Sequence, residues 1–230
     1  MSILEELLSP IPFSMFSQEY IAKERPFAAP EKALFMKNCI SWFMLQEILE
    51  NRHSDCWLPM QGKLPEDSSL NTGTLSKEQF LHGFKNKRTL LIRHAEQAHP
   101  ITQMIAQDFQ SFFQCPIDLQ VYCTPAQQEG FEWHYDLDEV FVIQTFGEKE
   151  FRLRKNTTTP RPLDRKASQR EYFLREPPAP EIRCWLKAGD WLYIPAGYWH
   201  KAQAMTDSIH LSIGVHTAEV LQPEQNLHLY

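Results

Sequence analysis

The pattern of hydrophobic and polar positions changes about halfway along the chain. In the first half, apolar residues recur every three or four positions, which is typical of amphipathic helices. Helices are predicted at residues 3–8, 31–50 and 100–114. Ser76 and Gln79 form a capping box that opens a further short helix, and the apolar run 89–92 predicts a buried strand. With a polar excursion at 51–73, the N-terminal half is predicted to be a mainly helical cover.

The second half contains short apolar runs separated by Pro, Gly and Asp. These runs predict six strands, at residues 117–124, 140–146, 149–154, 191–194, 198–202 and 209–215. Short strands between turn residues are typical of a β-sandwich or jelly roll. Residues 155–181 hold five prolines and many charges, which predicts a long surface loop. We expect one domain over 1–230, with the cover and first strands at 1–115, the β core at 116–216 and a tail at 217–230.

Composition argues against some partners, namely nucleic acid and membranes, and favours a reducing compartment. The chain has 23 basic and 29 acidic residues, a net charge of −6, which argues against bulk attraction to nucleic acid or anionic membranes. The N-terminus lacks the positive charge of a signal peptide, and no apolar run is as long as a membrane helix, so no membrane partner is expected. Five scattered cysteines without a C-x-x-C pair favour a reducing, cytoplasmic location.

Two histidines and one aspartate form the first candidate site. On a predicted strand, positions two apart point to the same side, so His134 and Asp136 are expected to share a metal ion. His200 follows a predicted tight turn and supplies a third ligand. Two histidines and one carboxylate suit non-haem Fe(II) and leave coordination positions open. The alternative is that each histidine only satisfies a buried hydrogen bond.

A lysine in the next predicted strand is the second candidate. Gly147 and Glu148 are interpreted as a two-residue hairpin turn, and the strand after it places Lys149 in phase with Phe151 and Leu153. A lysine on an apolar face is unfavourable unless it meets an anion. The simplest anion is the distal carboxylate of a dicarboxylic cosubstrate. Alternatively, the lysine reaches the edge of the sheet.

Hydroxyl groups on two predicted strands are weaker candidates. Tyr122 and Thr124 lie on one face of the strand that precedes the histidine motif and could donate to the same carboxylate, although ordinary packing also explains them. On the last strand, Ser212 belongs to a polar set that includes His210. That set either lines a pocket or faces solvent.

Taken together, these motifs resemble a known family, the JmjC/cupin-like Fe(II)- and 2-oxoglutarate-dependent oxygenases, most closely their ribosomal-oxygenase branch. The matching segments are Val-Tyr-Cys-Thr-Pro at 121–125, His-Tyr-Asp at 134–136, Val-Phe-Val-Ile-Gln at 140–144 with Gly147 and Lys149, the run 187–197 with His200, and His-Leu-Ser at 210–212. Strands, spacing and order agree over about 100 residues of the chain.

The resemblance implies a mainly β fold, a double-stranded β-helix with a helical N-terminal cover. It implies that His134, Asp136 and His200 hold Fe(II). It further implies that Lys149 binds the 5-carboxylate of 2-oxoglutarate. The residues expected to assist that lysine are Tyr122, Thr124 and, more weakly, Ser212. The implied reaction uses O2 to hydroxylate an amino-acid side chain in a protein, peptide or free metabolite, with succinate and CO2 as co-products.

Several features leave the partner open. Residues 149–175 contain nine Lys or Arg and three acids, so the same chemistry could act on tRNA or another nucleic acid. A non-oxygenase, metal-binding cupin and an N-demethylase are further alternatives. Four acidic residues near the motif predict either a rim for a cationic substrate or an ordinary solvated surface: Glu129, Glu132, Asp138 and Glu139. Ribosomal oxygenases carry a dimerisation region and a winged helix after the core, which we do not expect here, so the oligomeric state is uncertain.

Overall fold

Ten strands make up the β structure of the chain in the computed structural model, which describes residues 2–51, 55–59, 74–158 and 169–217. In chain order they are β1 (Phe27–Ala29), β2 (Asp55–Trp57), β3 (Leu90–Arg93), β4 (Ile117–Thr124), β5 (Glu139–Phe146), β6 (Glu148–Arg154), β7 (Ile182–Lys187), β8 (Trp191–Ile194), β9 (Trp199–Ala204) and β10 (Ser208–Val215). All six predicted core strands are confirmed to within two residues at either end, because Pro, Gly or Asp lies close to at least one end of each apolar run.

Six α-helices accompany these strands in the described part of the chain. They are α1 (Ile3–Leu8), α2 (Phe13–Phe16), α3 (Trp42–Glu50), α4 (Lys77–Lys85), α5 (Pro100–Phe113) and α6 (Gln169–Arg175). The predicted capping box opens α4, where the Ser76 hydroxyl accepts from the backbone N–H of Gln79 and the Gln79 side chain bonds back to Ser76. A π-helical turn at Ser17–Ile21 continues α2. None of these helices is both long and apolar enough to span a bilayer.

The strands form two sheets in which every paired neighbour is antiparallel. The larger sheet has seven strands in the order β1-β8-β5-β10-β4-β3-β2, and the smaller has three in the order β7-β6-β9. Strands that follow one another in sequence often lie in different sheets, as in a jelly roll. The predicted double-stranded β-helix is confirmed.

The segment between β5 and β6 is a corner between sheets. β5 pairs with β8 and β10, whereas β6 pairs with β7 and β9, so the predicted Gly147-Glu148 hairpin is wrong. Gly147 has φ +70, and a Cβ there would collide with the carbonyl oxygen of Asp207. Only glycine therefore allows the chain to pass this close while it crosses to the other sheet.

The helical cover packs on the outer face of the large sheet. Leu4 and Leu7 of α1 and Phe109 of α5 belong to one buried cluster with the apolar residues of β4, β5 and β10. Phe16 sits at the centre of this cover, and its ring contacts those of Phe141, Trp191 and Tyr193 among others. The core thus lies between the helices and the sheet, which leaves the inner face of the sheet for the site.

Two predictions for the first half are corrected. The helix predicted at 31–50 is formed only at α3, because Asn38 adopts a left-handed φ of +60 and Ser41 then caps the new helix. The cover is not purely helical either, since β1, β2 and β3 extend the large sheet on its two sides. β1 and β2 are three residues each, too short for periodicity to predict.

The predicted surface loop at 155–181 contains α6 in its described part, and β7 follows it directly. β7 is an edge strand that was not predicted, because only Leu186 of its six residues is buried and Trp185 breaks the polar face opposite to it. The predicted excursion at 51–73 lies mostly outside the described residues, as does the tail after residue 217. The single-domain division over 1–230 stays a prediction.

Candidate active site

A cavity of roughly 450 Å³, including the open space at its mouth, lies between the two sheets. Its apolar wall consists of Val140 and Val142 from β5, Phe151 from β6 and Ile194 from β8. Its polar lining includes His134, Asp136, His200, Lys149, Tyr122, His210 and Ser212. The two sheets therefore bring together six of the seven residues that the sequence predicts for the site, and the seventh, Thr124, lies directly behind the lysine.

His134, Asp136 and His200 form a compact group at the cavity. One ligand atom from each lies within 4.8 Å of the others, and His200 Nε2 is 3.5 Å from Asp136 Oδ2. The two histidines pair through their backbones, since each N–H donates to the other's carbonyl at 3.1 and 2.7 Å. The predicted strand at His134–Asp136 is wrong, because His134 forms only an isolated bridge, with His200. Proximity comes from pairing with β9 rather than from strand alternation.

Hydrogen bonds orient both imidazoles toward the same point. Nδ1 of His134 lies 2.8 Å from the carbonyl oxygen of Glu132, and Nδ1 of His200 lies 3.0 Å from that of Tyr198. A carbonyl only accepts, so each ring carries its proton on Nδ1 and keeps the Nε2 lone pair available. Two such nitrogens with one carboxylate oxygen fit a divalent metal, and this donor set is the one that suits Fe(II).

Lys149 occupies the interior of the same cavity. Its side chain is 1% exposed, so the alternative of a lysine at the sheet edge is wrong. Its Nζ donates to Thr124 Oγ1 at 3.1 Å and lies 3.3 Å from His210 Nδ1. Burial lowers the pKa of Lys149 to about 7, opposed by the neighbouring Cys123. A carboxylate entering the cavity would meet a cation that no acidic side chain of the described residues neutralises at hydrogen-bond distance.

The register between β6 and β9 gives the distance between Lys149 and the candidate metal ligand His200. Leu153 of β6 pairs with His200 of β9, and Lys149 precedes Leu153 by four residues on the same strand. Four residues of extended backbone span about 13 Å, and side chains pointing into one cavity shorten that separation. The spacing favours an anion with two separated binding groups rather than a compact one.

The hydroxyl candidates divide into two kinds. Thr124 is fully buried and accepts the hydrogen bond from Lys149. Tyr122 lines the cavity with its ring 5.8 Å from Lys149 Nζ, but its hydroxyl donates to Gln120 Oε1 at 2.8 Å. Ser212 lines the cavity as well. Of the two interpretations of the last strand, the pocket-lining one is correct for His210 and Ser212.

His210 is a site residue that the sequence did not single out. Its ring stacks on Tyr122 at 4.7 Å and meets the edge of Phe151 at 5.7 Å. Burial and the adjacent Lys149 lower the pKa of His210 well below its usual value, so the ring is neutral. The alternating polar set on the last strand was the available signal, but alternation alone does not show which side faces a cavity.

Most of the acidic residues predicted at the cavity mouth bond to other groups of this chain. Glu139 is 1% exposed and accepts hydrogen bonds from the Tyr193 hydroxyl at 2.6 Å and the Ala196 N–H at 3.0 Å. Glu129 pairs with Lys201 at 3.0 Å, and Asp138 lies 3.2 Å from His216. The expectation of a cluster of carboxylates at the mouth is therefore wrong for Glu139, whose role is structural.

Comparisons with known proteins identify the family of this chain. The JmjC domain family matches residues 92–222, more than half of the chain. A protein of Dictyostelium discoideum named bifunctional lysine-specific demethylase and histidyl-hydroxylase NO66 is 35% identical over 114 residues, which are 49% of this chain and 22% of that protein. Its namesake in Drosophila melanogaster is 27% identical over 230 residues, 93% of this chain and 34% of that protein.

Solved structures of E. coli YcfD, described as a ribosomal oxygenase, share the fold. The complex of YcfD with cobalt and 2-oxoglutarate superimposes with a TM-score of 0.61 at 20% identity and covers 96% of this chain and 59% of that one. This chain thus spans about a third or less of these NO66 proteins and about three fifths of YcfD. The family match confirms the JmjC resemblance inferred from the motifs, and the chain belongs to the JmjC domain family.

Proposed function

We propose that this chain is an Fe(II)- and 2-oxoglutarate-dependent oxygenase that hydroxylates an amino-acid side chain of a protein. The observation that carries the proposal is a single cavity holding two histidines, one carboxylate and a fully buried lysine. A metal-only cupin has no need of the lysine, because burying a cation without an anionic partner is unfavourable. YcfD with cobalt and 2-oxoglutarate bound supports the same pairing of ligands.

Each residue has a distinct role in this proposal. His134, Asp136 and His200 would hold the iron, with their Nδ1 hydrogen bonds fixing the ring orientation. Bound together, iron and 2-oxoglutarate use O2 to convert a substrate C–H bond to C–OH, with succinate and CO2 released. Lys149 would hold the distal carboxylate, and Thr124 keeps the ammonium group in place.

The walls of the cavity control water and orientation. Val140, Val142 and Ile194 exclude water from the space between the metal ligands and the lysine. Inside such an apolar lining, the attraction between ammonium and carboxylate is stronger than in water. His210 closes the cavity beside Lys149 and, being neutral, adds no competing charge.

A protein is the substrate class that the relatives favour. The NO66 proteins are named for histidyl hydroxylation and lysine demethylation, and the E. coli structures for a ribosomal oxygenase. The nucleic-acid alternative depends on residues 149–175, in which Arg152, Arg154 and Arg175 contact other groups of the protein, namely Glu150, Phe173 and Tyr172. Mass spectrometry of a treated substrate distinguishes the two protein reactions, since hydroxylation adds one oxygen atom and demethylation removes one methylene unit.

The test is an anaerobic titration of the protein with Fe(II) and then with 2-oxoglutarate. We expect the visible charge-transfer band of the chelated cosubstrate with the wild type and none with His134→Ala. Lys149→Ala should need far more 2-oxoglutarate, since removing the partner of a buried carboxylate weakens binding by about 2–5 kcal/mol. Iron binding by the wild type without a band would instead show a metal-binding cupin.

A further inference from the structure

A tryptophan directly precedes each histidine of the metal set. These are Trp133 before His134 and Trp199 before His200. Trp199 and His200 are neighbours on β9, where successive side chains point to opposite faces, so Trp199 lies on the outer face of the small sheet, behind the cavity. Tyr135 packs on Trp199 there at 4.9 Å, and Phe173 contacts the rings of both tryptophans, which places Trp133 on the same side.

Helix α6 covers this outer aromatic layer. The Phe173 ring stacks on Trp133 at 4.7 Å and 11°, and meets Trp199 edge-on at 5.3 Å and 74°. The guanidinium of Arg154 lies 5.0 Å from the Phe173 ring and donates to the carbonyl of Pro177 at 3.1 Å. Phe173, in the 155–181 segment, thus contacts the residue that precedes each histidine.

Glu176, which directly follows α6, bonds the end of this helix to Trp199. Its carboxylate accepts from Trp199 Nε1 at 3.0 Å and from the backbone N–H groups of Thr157 and Thr158 at 3.1–3.2 Å. Burial alone would raise the pKa of Glu176, but the hydrogen bonds from Thr157 and Trp199 hold it below the usual value. The carboxylate is therefore ionised at neutral pH and makes charge-assisted bonds to the start of the 155–181 segment and to Trp199 of β9.

The segment that carries His134 and Asp136 needs such support. Between β4 and β5 it forms two isolated bridges, Glu129 to Gln203 and His134 to His200. Its backbone also bonds β9 through Gln127 N–H to the Ala204 carbonyl and Gly130 N–H to the Ala202 carbonyl. This ladder is discontinuous, so side-chain packing adds to the support of the segment. Lys201 adds one support, since its ammonium bonds Glu129 at 3.0 Å and lies 5.8 Å from the Trp133 ring.

We propose that α6 and Glu176 form a clamp that positions the two histidine ligands from outside the sheet, with Phe173 and Glu176 as its positioning residues. The inference rests on the proposed function, because it assigns the clamp to the metal set. Groups that orient ligands from one layer further out commonly change metal affinity by about 10–100-fold. Phe173 acts through a tryptophan rather than on the ligand itself, so we expect the lower end of that range.

The test compares Phe173→Ala with Leu174→Ala, a change of the same kind at a neighbour that is 73% exposed. Co(II) alone is titrated into each protein, and its d–d absorption reports both affinity and geometry. We expect about tenfold weaker Co(II) binding and an altered spectrum for Phe173→Ala. Leu174→Ala should match the wild type, and Phe173→Tyr, which keeps the ring, should restore binding.

A second measurement needs no metal. Hydrogen–deuterium exchange of the metal-free protein should be faster at residues 129–136 in Phe173→Ala, with β5 unchanged. Equal Co(II) affinity and equal exchange in the two alanine variants would overturn the clamp. If the wild type binds no Co(II), the proposed function fails and the clamp's role toward a metal fails with it. Faster exchange would then show only that α6 orders the segment.

Discussion

Lys149 makes the stability of the ligand-free protein depend on pH in a direction that can be stated in advance. Burial lowers its pKa from the usual 10.5 to about 7, a difference equivalent to roughly 5 kcal/mol. Between these two pH values the unfolded chain binds a proton at this lysine and the folded protein does not. Stability therefore rises with pH across that window, by up to about 1.4 kcal/mol per pH unit.

In the folded protein the neighbouring groups keep their charge across this window. The Cys123 thiol of the unfolded chain ionises near its ordinary pKa of 9.0 with or without Lys149, so a comparison with a Lys149 variant isolates the lysine. His210 is neutral because burial and Lys149 lower its pKa well below the usual value. Cys123 is protonated because burial raises its pKa well above the usual value. Below pH 7 the folded protein carries the full unfavourable energy of a buried cation. From pH 7 to 9, Lys149 alone should add about 2 kcal/mol of stability.

Urea denaturation of the metal-free protein at pH 7, 8 and 9 measures this effect. Lys149→Met keeps the length of the side chain without its charge, so the rise with pH should disappear in this variant. Lys187→Met is the matched control, since Lys187 is 72% exposed, and it should follow the wild type. Parallel profiles for wild type and Lys149→Met would refute the argument.

Two further predictions concern residues that shape the site. Gly147→Ala should destabilise the protein by roughly 3 kcal/mol, because a Cβ at φ +70 meets the carbonyl oxygen of Asp207, and an unchanged Tm would contradict the proposed corner. Tyr193→Phe removes a hydrogen-bond donor to the buried Glu139 carboxylate and should lower stability by about 1–3 kcal/mol in urea denaturation. Stability equal to wild type in that variant would show that Glu139 is satisfied without the hydroxyl.

The pH argument also bears on cosubstrate binding. If a dicarboxylate supplies the anion for Lys149, its binding at pH 8 must return a proton to a largely neutral amine. The proposed oxygenase would then bind 2-oxoglutarate more weakly as pH rises above 7. The pKa of Lys149 thus links the pH dependence of folding to the pH dependence of 2-oxoglutarate binding.

The sequence alone determined where the core strands lie and which residues are candidates for the site, because both depend on local patterns. Short apolar runs between Pro, Gly and Asp located the core strands, because buried strands are apolar and turn residues interrupt them. Alternation within one of these strands placed Lys149 inward with Phe151, as the structure has it. The spacing of His134, Asp136 and His200 identified the right three residues to test as a metal set, although the reason offered, a shared strand, was wrong.

Only the tertiary structure decided which strands pair and which polar faces turn inward. Gly147 looks the same in a hairpin and in a corner between sheets, because the difference lies in partners that are distant in sequence. His210 and Glu139 alternate like solvent-facing residues, yet both are buried, because the second sheet or a nearby tyrosine covers them. The contact of Phe173 with Trp133 and Trp199 also joins residues that are distant in sequence, so only the tertiary structure shows it. Periodicity shows which residues share a face of a strand or helix. What covers that face depends on the tertiary structure.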